Sequence, residues 1–276
     1  MKFGLPYQGS KSRIAKWVID VLPRSHTLVD LFAGGCAVTH AALLNGKFDR
    51  IIANDVTDAP KVFLDAANGE YRDFSTVITR DDFFETNDTA LEILYSFGNT
   101  RDAYLWSAEL ESFKVPATKM LTAPSLHERR MAYRDFCKRF LEFVAGGGED
   151  SMRLQPIERL RNMQNLEALE RLEALQRDYR LVDIPEGATV YADPPYRGTD
   201  CSAYQGFDFD AFDAWLNGVD FPVYVSEYTA PYGCVEVARC ARTSSMPADN
   251  SQKVIERIFV QERFADQYEP DQGRLF

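Results

Sequence analysis

Thr27-Leu28-Val29-Asp30-Leu31-Phe32-Ala33-Gly34-Gly35-Cys36 opens with a short apolar run and ends in a glycine turn. A run of that length and character reads as a parallel strand buried on both faces. Ala37 to Leu44 continues as a helix, stopped by Asn45-Gly46. A second buried strand, Arg50-Ile51-Ile52-Ala53-Asn54, ends at Asp55. Strand, glycine turn, helix, strand, acid is the opening of a doubly wound α/β sheet, so the fold class is Rossmann-like α/β. Upstream, Lys11 to Leu22 carries Ile14, Trp17, Val18 and Val21 at helical spacing, with Pro23 ending the helix.

Downstream, the same alternation returns only in the last third. Ala188-Thr189-Val190-Tyr191-Ala192 reads as a strand running into Asp193-Pro194-Pro195-Tyr196. Phe209 to Leu216 reads as a helix, Phe221 to Ser226 and Lys253 to Gln261 as strands, and the polar chain beyond Ala265 as a frayed tail. Between these blocks, from 91 to 165, strand and helix do not alternate. A helix over Glu128 to Val144 is predicted to gather Tyr133, Phe136, Phe140, Leu141 and Val144 on one face. The reading is therefore a catalytic domain of 1–90 and 166–265, a mainly helical inserted subdomain of 91–165, and a tail of 266–276. From Leu154 to Leu175 apolar residues recur at every third position, a spacing that suits a helix with a drifting stripe and implies packing.

Two constellations carry chemistry. Glycines after a buried strand let backbone approach a ligand, and the helix that follows offers free N–H groups. Asp55, about 20 residues on, is placed to bind ribose hydroxyls; capping a helix is its alternative role. The turn lacks the third glycine of the dinucleotide fingerprint, which disfavours a nicotinamide dehydrogenase. In Asp193-Pro194-Pro195-Tyr196, two prolines remove two backbone donors and stiffen a turn at the carboxyl end of a strand. The Asp193 carboxylate and Pro194 carbonyl are two acceptors suited to an amino group with two N–H bonds, and Tyr196 offers a flat face. The bland reading is a stiff loop with a half-buried tyrosine.

The 276 residues carry a formal net charge of −11, which opposes binding to a polyanion at long range. Lys114 to Asn165, however, holds ten Lys or Arg against six Asp or Glu, a local +4 that leaves −15 for the rest. Arg129, Arg130, Arg134, Lys138 and Arg139 are candidates for contacts to DNA phosphates; a solvated helical face is the alternative. Five cysteines without a Cys-x-x-Cys pair read as reduced thiols of a cytoplasmic protein. No histidine lies at metal-ligand spacing, so no metal is expected. Met1-Lys2-Phe3-Gly4 lacks a signal's apolar core, and no run of about 18 apolar residues spans a membrane.

These motifs resemble the Dam-like (D12) DNA adenine-N6 methyltransferases, phage-type members in particular. Tyr7-Gln8-Gly9-Ser10-Lys11-Ser12-Arg13-Ile14 is similar to the family's N-terminal motif, in which an aromatic and a lysine (Tyr7 and Lys11 here) lie near the cofactor. Leu28 to Gly35 resembles the cofactor glycine motif, covering Asp30, Phe32, Ala33, Gly34 and Gly35, and Asn54-Asp55 resembles the ribose-binding acid. Arg177-Asp178-Tyr179 resembles the motif whose acid faces the cofactor's adenine. Asp193 to Tyr196 matches the catalytic tetrad without substitution, and Ser96 to Asn99 and Val225 to Tyr228 also look phage-type. The resemblance implies S-adenosylmethionine as cofactor, transfer to N6 of a flipped-out adenine, and double-stranded DNA as partner. A restriction endonuclease partner occurs with such enzymes, and the sequence holds no signal for one. Cys36 stands where a small residue or glycine is commoner. The Asn- and Arg-rich hairpin of members that read GATC is not found, so the resemblance supplies no target sequence. Cytosine N4, an RNA adenine and a catalytically idle DNA binder are the rival readings.

Overall fold

A computed structural model describes residues 2–145, 163, 169–198, 206–243 and 253–269. In chain order the elements are α1 (Ala15–Val21), β1 (Thr27–Asp30), α2 (Ala37–Asn45), β2 (Arg50–Asp55), α3 (Ala59–Ala67), α4 (Arg80–Glu85), α5 (Thr89–Leu94), α6 (Ala108–Thr122), α7 (Leu126–Ala145), β3 (Leu172–Gln176), β4 (Thr189–Ala192), α8 (Phe209–Gly218), β5 (Val223–Glu227), β6 (Cys234–Thr243) and β7 (Lys253–Gln261). The chain divides into two compact units. One comprises Met1–Gly4, Gly9–Lys61 and Glu167–Phe276; the other comprises Leu5–Gln8 and Val62–Leu166.

The first unit is a mixed α/β layer around a seven-stranded sheet of order β3-β2-β1-β4-β5-β7-β6. The five strands from β3 to β5 run parallel, β7 is antiparallel to β5, and β6 is antiparallel to β7. The apolar runs form the centre because they bury both faces: every residue of β1, β4 and β5 is buried. Val29, Ile52, Val190, Val223 and Val225 pack with Phe212 and Leu216 of α8 into one core. Each such side chain contributes about 1.5–3 kcal/mol on leaving water. Gln261, fully buried, closes the end of this core, with Nε2 donating to the Leu216 carbonyl at 2.9 Å and Oε1 accepting from Val223 N at 2.9 Å.

Strand order reverses between β1 and β4, whose register pairs Asp30 with Tyr191. A crevice opens at such a switch point beyond the carboxyl ends of the strands, and both motif-bearing turns emerge there.

Two expectations are corrected, and one strand is added. Leu172 and Leu175, the end of the period-three run, lie in strand β3, paired in parallel from Ile51–Leu172 to Asp55–Gln176. The free edge of β2 overrides a weak helical pattern; of Leu154 to Leu166 only Met163 is among the described residues. β6 was not anticipated. It is an edge strand carrying Arg239 and Arg242, and a bulge between Glu236 and Ala238 breaks its alternation. The tail does not fray at once. Tyr268 donates its hydroxyl to the Val21 carbonyl at 3.0 Å and packs its ring 5.9 Å from that of Tyr224.

In the second unit every regular element named among the described residues is a helix. It begins at Val62, upstream of residue 91 where the sequence placed the insertion. A capping box starts α7: Ser125 N donates to Glu128 Oε2 at 3.1 Å, and Glu128 N to Ser125 Oγ at 3.2 Å. Phe136 is buried against Ala117, with Leu110 and Cys137 alongside. Tyr133, expected on that apolar face, is instead 55% exposed; the side chains of Phe140, Leu141 and Val144 lie outside the described residues. No helix among the described residues is long and apolar enough to cross a membrane.

Candidate active site

The turn after β1 is held by backbone. Ala33 N donates to the Asn54 carbonyl at 2.8 Å and Cys36 N to the Ala33 carbonyl at 2.7 Å. Gly34, at φ 46°, donates its N–H to Asp55 Oδ2 at 2.9 Å. The other carboxylate oxygen of Asp55 accepts from the N–H and the hydroxyl of Thr57, each at 2.9 Å. Asn54 adds a stitch across three strands: Nδ2 donates to the Leu31 and Arg177 carbonyls, and Oδ1 accepts from Arg177 N at 3.0 Å. Gly4 packs against the turn so closely that a Cβ there would collide with the Gly35 carbonyl and lie 2.7 Å from Ala37 N. Cys36, at φ 59°, takes the left-handed conformation that favours glycine, so glycine suits that place better and the cysteine there is strained.

Asp30 ends β1 almost fully buried, with Oδ2 accepting from the Thr39 hydroxyl at 2.8 Å. Burial lifts its carboxyl to about 7, with Asp193 and Asp55 adding to the rise against the Thr39 hydrogen bond. Phe32 stacks into an aromatic cluster, 5.1 Å from Tyr179, 5.8 Å from Phe212 and 5.9 Å from Phe207. Asp178 lies just past β3, where its carboxylate caps a short turn by accepting from Arg180 N at 2.9 Å and pairs with the Arg180 guanidinium at 2.5 Å. That pairing holds its carboxyl below the usual range.

The turn after β4 is held by side chains. Pro194 and Pro195 have no N–H to give. Lys11 Nζ sits 2.7 Å from Asp193 Oδ1 and 4.5 Å over the centre of the Tyr196 ring. Burial raises the Asp193 carboxyl above the ordinary range, and Lys11 pulls it back. The Tyr196 hydroxyl donates to Glu256 Oε2 at 3.1 Å, and Tyr228 meets the Tyr196 ring edge-on at 4.6 Å. Arg197 N donates to Glu227 Oε2 at 3.0 Å, and Tyr228 N to Glu227 Oε1 at 2.7 Å. The Arg197 guanidinium is itself fixed by Asp213 at 2.7 Å, above the Phe209 ring.

The first unit thus brings together Lys11, Asp30, Gly34, Gly35, Asp55, Asp193 and Tyr196, with Asp178 just past β3 and Phe32 in the aromatic cluster with Tyr179 and Phe212. Lys11, expected beside a cofactor, is paired with Asp193. Tyr7 belongs to the second unit, where it is buried. Arg130, Arg134 and Lys138 are exposed and, four residues apart, share one face of α7; Arg129, also exposed, donates Nε to the Ala123 carbonyl at 2.9 Å. The side chain of Arg139 lies outside the described residues.

Glu227 and Glu256 were not singled out from sequence. The available signal was an acid within an otherwise apolar strand, since β5 is buried throughout and Glu256 is buried with Ile258 and Val260 along β7.

The donor set tests what the crevice accepts. Asp30, Asp55, Asp193 and Glu227 are buried or nearly so around it, and among the described residues Lys11 is the ammonium paired with them, at Asp193. Such a surround repels a pyrophosphate and suits a ligand with hydroxyl donors and positive charge, which S-adenosylmethionine has in its ribose, ammonium and sulfonium.

Two comparisons bear on this arrangement. The model of the D12 class N6 adenine-specific DNA methyltransferases matches residues 7–218. The chain is also 24% identical over 211 residues to the Retron Ec67 DNA adenine methylase of Escherichia coli, covering 75% of this chain and 67% of that protein.

Proposed function

The chain belongs to the D12 class of N6 adenine-specific DNA methyltransferases, and from that premise we propose that Asp193 accepts the amino group of a flipped-out adenine in double-stranded DNA. The observation that carries this reading is the position of Asp193. It is a nearly buried carboxylate at the switch point, one strand away from the glycine turn, with its charge balanced by Lys11.

The N6 lone pair of adenine is delocalised into the ring and is a poor nucleophile. Hydrogen bonds from the two N6–H groups to Asp193 and to the Pro194 carbonyl favour the geometry that frees it. The same acceptors stabilise the positive charge that develops on nitrogen, and their rigid placement needs no reorganisation. N6 gains a methyl group and must give up one of its two protons. A carboxylate whose affinity for protons is raised by burial is suited to take it. Tyr196 supplies a stacking face, and a base can reach it only inside a protein that has drawn the adenine from the duplex.

S-adenosylmethionine, when bound, supplies the methyl group from its sulfonium. On this reading Gly34 and Gly35 let it approach the backbone, Asp30 faces its cationic end, Asp55 and Asp178 serve its ribose and adenine, and Phe32 and Ala33 line the turn. The exposed row of Arg130, Arg134 and Lys138 faces DNA phosphates, with Arg129 and Arg139 beside it in the helix. Replacing those three by alanine is expected to weaken binding to all DNA sequences and to lower the slope of log affinity against log salt by roughly 3. An unchanged slope would leave α7 a solvated helix.

The test of the reaction is mass spectrometry of nucleosides from a methylase-deficient bacterium expressing the protein, beside Asp193→Ala. N6-methyladenine in DNA that vanishes in the variant is expected. N4-methylcytosine, or N6-methyladenine in RNA alone, would overturn the assignment of the acceptor.

A further inference from the structure

Tyr196 can serve as a stacking face only if its ring plane is fixed, and the turn that carries it lacks two backbone donors. We propose that Glu256 is a positioning residue that anchors the far end of the Tyr196 ring by holding its hydroxyl, while Tyr228 limits the ring's rotation. The inference rests on the reading of Asp193 to Tyr196 as the target-base site.

Three observations carry it. The hydroxyl of Tyr196 donates to Glu256 Oε2 at 3.1 Å, and the two residues are 9% and 1% exposed, so water does not compete for the bond. The bond lies at the end of the ring opposite the backbone. Turning the side chain about the Cα–Cβ bond displaces the hydroxyl from Glu256, and rotation about the Cβ–Cγ bond, which leaves the hydroxyl in place, meets the T-shaped packing of Tyr228 at 4.6 Å and 83°. Finally, Glu256 is a carboxylate at an inward position of β7, in line with Ile258 and Val260. A carboxylate in such a place is costly without hydrogen-bond donors, and the phenol is a donor that an apolar residue there would leave without its acceptor. Glu256 touches no reacting atom in this account. It acts through Tyr196 across 60 residues of sequence, from the antiparallel strand that closes the sheet.

The test measures methyl transfer to unmethylated genomic DNA, together with cofactor affinity by calorimetry, in Tyr196→Phe, Glu256→Leu, Glu256→Gln and the double variant Tyr196→Phe/Glu256→Leu. Tyr196→Phe and Glu256→Leu are each expected to lower kcat by about tenfold or more, the loss of one buried hydrogen bond to a charged acceptor. The double variant should be no slower than the worse single, because the two residues act through one bond. Glu256→Gln, which keeps an acceptor oxygen, should return kcat to within about threefold of wild type, with cofactor affinity unchanged throughout. Losses that multiply in the double variant, or a Tyr196→Phe enzyme with wild-type kcat, would overturn the role of Glu256. Should Glu256→Leu fail to fold, Tyr196→Phe against Tyr196→Phe/Glu256→Gln decides the matter: a further fall with glutamine refutes action through the hydroxyl, and no further fall supports it. A wild-type enzyme that methylates no DNA adenine defeats the site reading and this inference with it. An active wild type whose variants all match it defeats the inference alone.

Discussion

The glycine turn after β1 and the proline turn after β4 follow adjacent parallel strands, and they are built by opposite means. In the first, the backbone supplies the donors: Gly34 N–H to Asp55, Ala33 N–H to Asn54, Cys36 N–H to Ala33. In the second, two prolines remove the donors. Side chains from elsewhere do the holding: Lys11 on Asp193, Glu256 on Tyr196, Glu227 on the backbone of Arg197. A backbone-held turn leaves close, rigid space for a ligand of fixed shape. A side-chain-held turn brings no backbone N–H of Pro194 or Pro195 to compete for its acceptors, which suits a group that arrives bearing its own N–H bonds. On the proposed reading the division of labour is cofactor on one turn and methyl acceptor on the other.

Substitutions at the tethers sharpen this contrast. Lys11→Met removes the charge beside Asp193 and keeps the bulk, and it should lower kcat by about tenfold or more. Its pH dependence carries the sign. Burial raises the Asp193 carboxyl and Lys11 lowers it, so losing Lys11 raises it further. Transfer requires the carboxylate, hence the acid limb of the kcat/KM profile should move to higher pH. A profile that stays in place would show that Asp193 is not the titrating acceptor. Asp55→Asn acts on the other turn. It weakens a charge-assisted bond to Gly34 worth about 1.5–3 kcal/mol, so cofactor affinity should fall roughly tenfold to a hundredfold by calorimetry while kcat at saturating cofactor changes less. A selective loss of kcat instead would erase the distinction between the turns. The smallest effect is on stability. Gly4→Ala drives a Cβ into the Gly35 carbonyl from a φ of 67°, and should cost about 1–3 kcal/mol, a loss of several degrees in Tm by scanning calorimetry. An unchanged Tm would mean the glycine turn has slack.

The same contrast explains what could be read from the sequence. The centre of the sheet was legible because Thr27 to Phe32, Arg50 to Asn54 and Thr189 to Ala192 are apolar runs whose burial needs no particular partner. The glycine turn was legible because its hydrogen bonds span few residues, or reach only to Asn54-Asp55. The proline turn was legible as a motif but not as a structure. Its tethers come from 182 residues before Asp193 and 60 after Tyr196, and only tertiary pairing brings them together. β3 and β6 were missed for a related reason. Each is an edge strand fixed by one neighbour, β2 or β7, so the partner and not the local pattern decides its state.

The most direct test of the division between the turns is Asp193→Asn, measured for cofactor affinity and single-turnover methyl transfer in one preparation. Cofactor affinity within about threefold of wild type, with transfer slowed by about a hundredfold to a thousandfold or more, is the predicted result. Transfer within about tenfold of wild type, or a cofactor affinity that collapses along with it, would contradict the account.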